Sequence, residues 1–140
     1  MQIERKSTAD EARNRAPSGE DASNALLQRS EAYIRAHLQE PFSLDDLSRA
    51  MGTSPSTLLR TFNTHHGVSP MQYVKRLRLE AVRRSLSAAN PHTTTVGYVA
   101  SEFGFRQLGR FSAQYRKTFG ELPSVTLRQN RHRLNDLERL

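Results

Sequence analysis

The apolar positions between Phe103 and Pro123, in FGFRQLGRFSAQYRKTFGELP, fall at helical spacing. Phe111, Tyr115 and Phe119 recur every four residues, which sets three aromatic rings along one stripe of a helix. Arg106, Arg110, Arg116 and Lys117 lie off that stripe, so the opposite face is basic. Gly104 stands just before the helix, where a short interhelical turn needs positive φ. Gly120 follows it as a C-terminal cap, and Pro123 opens a new element. A helix with aromatics inward and arginines outward has the form needed to enter a DNA groove. Most basic amphipathic helices are solvated surface helices, so the rest of the chain has to decide.

Upstream, Leu26, Leu27, Tyr33, Ile34 and Leu38 predict a helix starting near Ser23 or Asn24, either of which can cap it, and ending near Glu40-Pro41. Ser43, with Asp46 three residues on, is a weak form of the capping box. It opens a short helix whose inward face is Leu44, Leu47, Ala50 and Met51 and whose end is Gly52. Ser54-Pro55 starts the next helix, with Leu58 and Phe62 inward and Gly67 as its stop. Ser69-Pro70 repeats that start signal. From there Tyr73, Val74, Leu77, Val82 and Leu86 keep helical period without an internal Gly or Pro, to about Ser87. Eighteen residues of helix would span roughly 27 Å. Residues 88–94, with Asn90-Pro91, are a loop by composition; Thr95 can cap a short helix over 96–103. Pro123 begins a last helix carrying Leu127, Leu134 and Leu137. Its end, with Arg128, Arg131, Arg133 and Arg139, is expected to fray. No segment alternates with period two, which predicts an all-α chain.

The pattern repeats. Leu44, Leu47, Met51 and Gly52 map onto Val96, Val99, Phe103 and Gly104 at an offset of 52, and Phe62, Gly67 and Pro70 map onto Tyr115, Gly120 and Pro123 at 53. Each copy reads short helix, glycine turn, longer helix, glycine stop, proline start. This predicts two helix-turn-helix subdomains, over 24–69 and 89–138, joined by a long linker helix at 70–88. Two recognition helices on one face of a duplex must sit about 34 Å apart. Dimers meet that spacing by symmetry, and here the linker helix would meet it covalently.

Composition sharpens the picture. The net charge is +7 and the pI about 10.5, which calls for a polyanionic partner. Residues 1–23 carry four basic against five acidic residues, leaving seventeen against nine for the remainder, so the folded part is the basic part. Residues 1–23 hold one large aliphatic residue, Ile3, and are expected to be a disordered tail or interdomain linker. There is no cysteine, which excludes disulfides and thiolate chemistry. The chain has no apolar run of membrane length and no hydrophobic N-terminal segment, so no membrane partner is expected and a cytoplasmic location is.

With these elements in place, the sequence closely resembles the AraC/XylS family of bacterial transcription regulators. The resemblance rests on SLDDLSRAMGTSPSTLLRTFNTHHGVSPMQYVKRLRLEAVRRSL and VGYVASEFGFRQLGRFSAQYRKTFGELPSVTLRQ and covers about residues 27–130. GRFSAQYRKTFGELPS looks most like the XylS branch. The resemblance implies a homeodomain-like, AraC-type domain of about seven helices that binds double-stranded DNA as a monomer module. It also implies transcription activation in contact with RNA polymerase, and family members commonly carry a separate effector-binding or dimerisation domain ahead of this one. The chain would then be a stand-alone member or the DNA-binding half of a longer protein.

With Leu58 and Phe62 inward, Ser56, Leu59, Arg60 and Asn63 face outward on the first recognition helix. Arg60 has the fork geometry to bind guanine O6 and N7, a contact worth roughly 1–3 kcal/mol of discrimination; phosphate contact or plain solvation are its other readings. Ser56 suits a base or a phosphate, and Leu59 either meets a thymine methyl or packs internally. In the second helix the corresponding positions are Gly109, Ser112, Ala113 and Arg116. Gly109 and Ala113 lack hydrogen-bonding side chains, so base readout falls first to Arg110, then to Gln107 and Ser112; Ala113 is counted among the base-contacting positions by its place in the repeat. Gly109 costs roughly 1 kcal/mol in a helix and suits close approach to DNA. Phosphate contacts are assigned to Thr57, Asn63, Arg106, Arg116, Lys117 and Arg128, with Lys75 and Arg76 as further candidates.

An enzyme is not expected. His65 and His66 are adjacent and diverge by about 100° on a helix, so they do not share a metal, and no HExxH, GxSxG, GxGxxG or phosphate-loop pattern occurs. No metal or other cofactor is called for. A sequence-indifferent architectural nucleic-acid binder is the alternative, and the register-matched repeat argues against it.

Overall fold

The computed structural model describes residues 19–138, and for 130–135 and 138 the backbone alone. Of the tail expected over 1–23, residues 1–18 lie outside the described residues, as do the side chains of Arg131, Arg133, Leu134 and Arg139, while 19–23 are helical instead. Seven helices and no strand are found among them. They are α1 (Gly19–Ala36), α2 (Leu44–Met51), α3 (Pro55–His66), α4 (Pro70–Ala88), α5 (Val96–Glu102), α6 (Leu108–Phe119) and α7 (Pro123–Glu138).

Local chemistry sets most of the boundaries. Ser43 accepts from the Asp46 N–H and the Asp46 carboxylate accepts from the Ser43 N–H, closing a reciprocal capping box. Ser69 and Gln72 form a second box ahead of Pro70, while Ser54 caps α3 and Thr95 caps α5. Gly52, Gly67, Gly104 and Gly120 all take positive φ, between 67° and 85°. A Cβ is disfavoured there, so α2, α3 and α6 stop where the glycine stands, and Gly104 turns the chain one residue past the Phe103 cap of α5. The Ser43 N–H chiefly holds the Asp46 carboxyl below its ordinary 3.8. A depressed carboxyl stabilises the fold above that value and loses its effect as pH falls through the lowered one. Ser43→Ala should cost about 1 kcal/mol of stability, read as a lower urea midpoint with an unchanged slope.

Three boundaries differ from the sequence reading. α1 starts at Gly19, four residues before Ser23, with Glu20 and Asp21 favourably placed in its first turn. Ser23 does not cap it: its Oγ lies 3.1 Å from His65 Nε2 of α3. At the other end α1 stops at Ala36 rather than near Glu40, because Arg78 of α4 donates to the carbonyls of Leu38 (3.0 Å) and Glu40 (2.8 Å) and draws the chain off helical path. α7 continues in helical form to Glu138 where fraying was expected. Ala50 is exposed, so the inward face of α2 is Leu47 with Leu44 and Met51 partly buried.

Two hydrophobic clusters form the interior, and α4 serves both. Val74 and Leu77 from its first half pack with Leu26, Ile34, Leu47, Leu58 and Phe62. Leu79, Val82 and Leu86 from its second half pack with Val99, Ala100, Phe111, Tyr115 and Leu127. The helix runs unbroken for 19 residues, about 28 Å, with hydrophobic anchors at both ends. His66, 2.7 Å from Glu31 and stacked on Tyr73, ties α1, α3 and α4 together in the first cluster. In the second, the buried Tyr115 hydroxyl meets Thr126 Oγ1 at 2.7 Å, and Thr126 donates to Glu121 at 2.7 Å, linking α6 to α7.

Candidate nucleic-acid interface

α3 and α6 are presented by the same device twice. An aromatic and aliphatic stripe fixes the inner face: Leu58 and Phe62 are fully buried on α3, and Phe111 and Tyr115 on α6 are at 1% and 0% exposure. The side chains that remain outside are those left over from that burial. On α3, Ser56, Arg60 and Asn63 are exposed and Leu59 is 41% exposed, which removes the internal-packing reading of Leu59. Thr57 is partly buried, its Oγ1 2.9 Å from Ser54 Oγ at the helix cap, so its hydroxyl is already engaged.

On α6, Gly109, Arg110, Ala113, Arg116 and Lys117 are exposed and Ser112 is partly buried. Gln107 is the exposed N-cap and makes no side-chain capping bond. Arg106 and Arg128 are exposed as well. A groove of about 430 Å³ runs between α4 and the start of α6, and Lys75, Arg78, Arg106 and Arg110 line it with Gln107 and Gln114. Arg78 is committed to the α1–α2 carbonyls and to the Phe42 ring, 5.1 Å away. Lys75, Arg106 and Arg110 thus form a cationic strip joining the linker helix to the second helix-turn-helix. Arg76 is paired with Glu80 at 3.0 Å, which sets it apart from Lys75 as a phosphate candidate.

Two residues of this surface escaped the sequence reading. Leu108 is the first residue of α6 and is 48% exposed. Its spacing, three before Phe111, places it on the buried stripe, but in the first turn it lies against Gly97 of α5, which has no side chain to cover it. Arg78 was visible as a cation of the linker helix, but nothing local to it reveals partners 38 and 40 residues away.

A family model described as a helix-turn-helix domain matches residues 47–129. A probable AraC family transcriptional regulator from Rhodopseudomonas palustris has a solved structure that superposes with a TM-score of 0.69 at 34% identity, covering 76% of this chain and 97% of that one. The chain belongs to the AraC/XylS family of DNA-binding transcriptional regulators. Among curated members, XylDLEGF operon transcriptional activator 2 of Pseudomonas putida is 38% identical over 104 residues, 74% of this chain and 66% of that protein. XylDLEGF operon transcriptional activator 1 of the same organism is 36% identical over 115 residues, 82% of this chain and 35% of that protein. The chain thus spans about a third of the length of the second relative. α3 and α6 are each the second helix of a helix-turn-helix pair, after α2 and α5. No helix among the described residues is long and apolar enough to cross a membrane.

Proposed function

We propose that this chain reads a bipartite operator, with α3 and α6 in successive major-groove segments on one face of the duplex and α4 as the spacer that fixes their separation. The observation that carries this reading is the sharing of α4 between both hydrophobic clusters, which makes the linker a rigid part of each half. Arg60 is the principal base reader on α3, with Ser56 and Leu59 beside it. Arg110, Gln107, Ser112 and Ala113 face bases from α6. Arg106, Arg116, Lys117, Arg128 and Asn63 contact phosphates, joined by Lys75 from the groove beside α4. Thr57 acts through its backbone and cap more than through its hydroxyl.

The biological output is activation of transcription through contact with RNA polymerase, with this DNA-binding part acting as a monomer. That the Pseudomonas putida relatives are named as operon transcriptional activators supports the sign of that output. The test is selection of bound duplexes from a random pool followed by footprinting. Two protected patches about one helical turn apart are expected. A single continuous patch, or enrichment of no sequence, would sink the proposal.

A further inference from the structure

Arg78 stands where the two halves of the molecule meet on α4. Leu77 before it belongs to the first hydrophobic cluster, and Leu79 after it belongs to the second. Its half-buried side chain donates from Nε to the Leu38 carbonyl (3.0 Å) and from Nη2 to the Glu40 carbonyl (2.8 Å), with the guanidinium 5.1 Å from the centre of the Phe42 ring. No carboxylate pairs with it among the described residues, so its charge is met by two carbonyls and a ring. All three partners lie in the connection between α1 and α2, whose Leu38 and Phe42 pack against the first cluster.

The second half reaches the same place. Phe103, the C-cap of α5, packs against the second cluster and lines the groove beside α4 together with Arg78, Gly104 and Phe105. Phe103 also lines a cleft of about 400 Å³ with Leu38, Gln39 and Glu40. The α1–α2 connection of the first half and the α5–α6 turn of the second are thus neighbours at the level of Arg78. Hydrophobic packing is non-directional and leaves an angle between packed units loosely set. Two hydrogen bonds from a planar guanidinium fix direction as well as distance. We propose that Arg78 is a positioning residue for bipartite recognition: by fastening the α1–α2 connection to the middle of α4, beside the α5–α6 turn, it fixes the angle between the two helix-turn-helix units and so the half-site spacing that the chain accepts. This rests on the groove-reading function proposed above, and in this role Arg78 touches neither base nor phosphate.

The experiment uses the full chain, the duplex recovered by selection, and two altered duplexes with one base pair inserted or removed between the half-sites. One base pair shifts a half-site by about 3.4 Å and turns it by about 35°. On an altered duplex one half engages at a time, so the angle between the halves has no bearing there. Wild type should prefer the selected duplex by about 100-fold or more. Arg78→Met keeps the stem and loses the donors. It should bind the selected duplex about tenfold more weakly, the size of a hydrogen bond from a charged donor, and the altered duplexes as wild type does. Arg78→Lys, which keeps the charge without the fork, should fall between the two. Loss of folding stability or of a phosphate contact would weaken binding to all three duplexes alike, and that result overturns the positioning role. If circular dichroism shows Arg78→Met to be unfolded, Arg78→Lys and Phe42→Leu carry the test, each expected to lower the preference severalfold. A wild-type preference left intact in every folded variant overturns the role of Arg78 and leaves the bipartite function standing. A wild type indifferent to the spacing removes both.

Discussion

Tyr115→Ala should destabilise the protein by about 3–5 kcal/mol, a large part of the roughly 5–15 kcal/mol that holds a domain folded. Tyr115 is completely buried, with the Phe111 ring 5.7 Å and the Phe119 ring 4.7 Å away, so truncation opens a ring-sized cavity between α6 and α7. It also deletes the donor to Thr126, whose own proton goes to Glu121. Tyr115→Phe keeps the packing and loses the hydroxyl alone, for about 1 kcal/mol. Burial above all raises the Tyr115 pKa above its ordinary 10.0, so the folded state keeps the proton longer than the unfolded chain does. Its stabilising effect is complete below pH 10.0 and is lost as pH rises through the raised value. Tyr115→Phe should therefore flatten part of the alkaline fall in stability, with Tyr73, raised by the same cause, supplying another part. Urea titrations at neutral and alkaline pH measure both effects. Equal midpoints for wild type and Tyr115→Ala would show that the second cluster does not depend on this ring.

That cluster was readable in advance because its information is local. A four-residue aromatic repeat, serine and threonine before a helix, and glycine after one each act within a turn or two of chain. So the starts of α2 to α5 and the stops at Gly52, Gly67 and Gly120 follow from neighbouring atoms. What was misread depends on contacts made across the fold. The N-terminal turn of α1 is poor in apolar residues, yet it is helical and Ser23 there reaches His65. The C-terminal end of α1 is shortened by a guanidinium from α4. Leu108 was masked by its own spacing: periodicity says inward, but a first-turn residue is covered only by what the preceding helix supplies, and α5 supplies a glycine.

The candidate site divides the same way. Outwardness of Ser56, Leu59, Arg60, Gly109, Ala113 and Arg116 follows from which positions the stripes bury, and these residues are exposed. The partial burial of Ser112 and the capping bond of Thr57 were hidden, since both depend on the way each helix begins and seats. Separation between the halves is encoded in the length of α4, but its rigidity comes from having buried residues in both clusters. A change in the middle of α4 thus acts on both interiors together, whereas a change on the outer face of α3 or α6 leaves them intact and, on the function proposed above, should act on readout alone.

Arg60→Ala should reduce operator affinity by roughly 1–3 kcal/mol, about fivefold to 150-fold, and abolish preference at one or two base pairs while leaving the rest of the site intact. Arg60 is exposed on α3, one residue before buried Thr61 and two before Phe62, so its backbone is held while its guanidinium is free of the interior. Removing it takes away a fork that matches guanine O6 and N7 and leaves no buried group unsatisfied in the protein, so folding stability should change little. Arg110→Ala should do the same for the half read by α6. Lys117→Ala provides the contrast. A lysine on phosphate carries charge and no sequence information, so its loss should weaken all duplexes alike and reduce the slope of log affinity against log salt by about 1. Competition binding against a panel of single-base operator variants at two salt concentrations separates the cases. If Arg60→Ala, Arg110→Ala and Lys117→Ala all lowered affinity by the same factor on every duplex, neither arginine would be reading a base, and discrimination would have to come from the shape of the DNA and from apolar contacts.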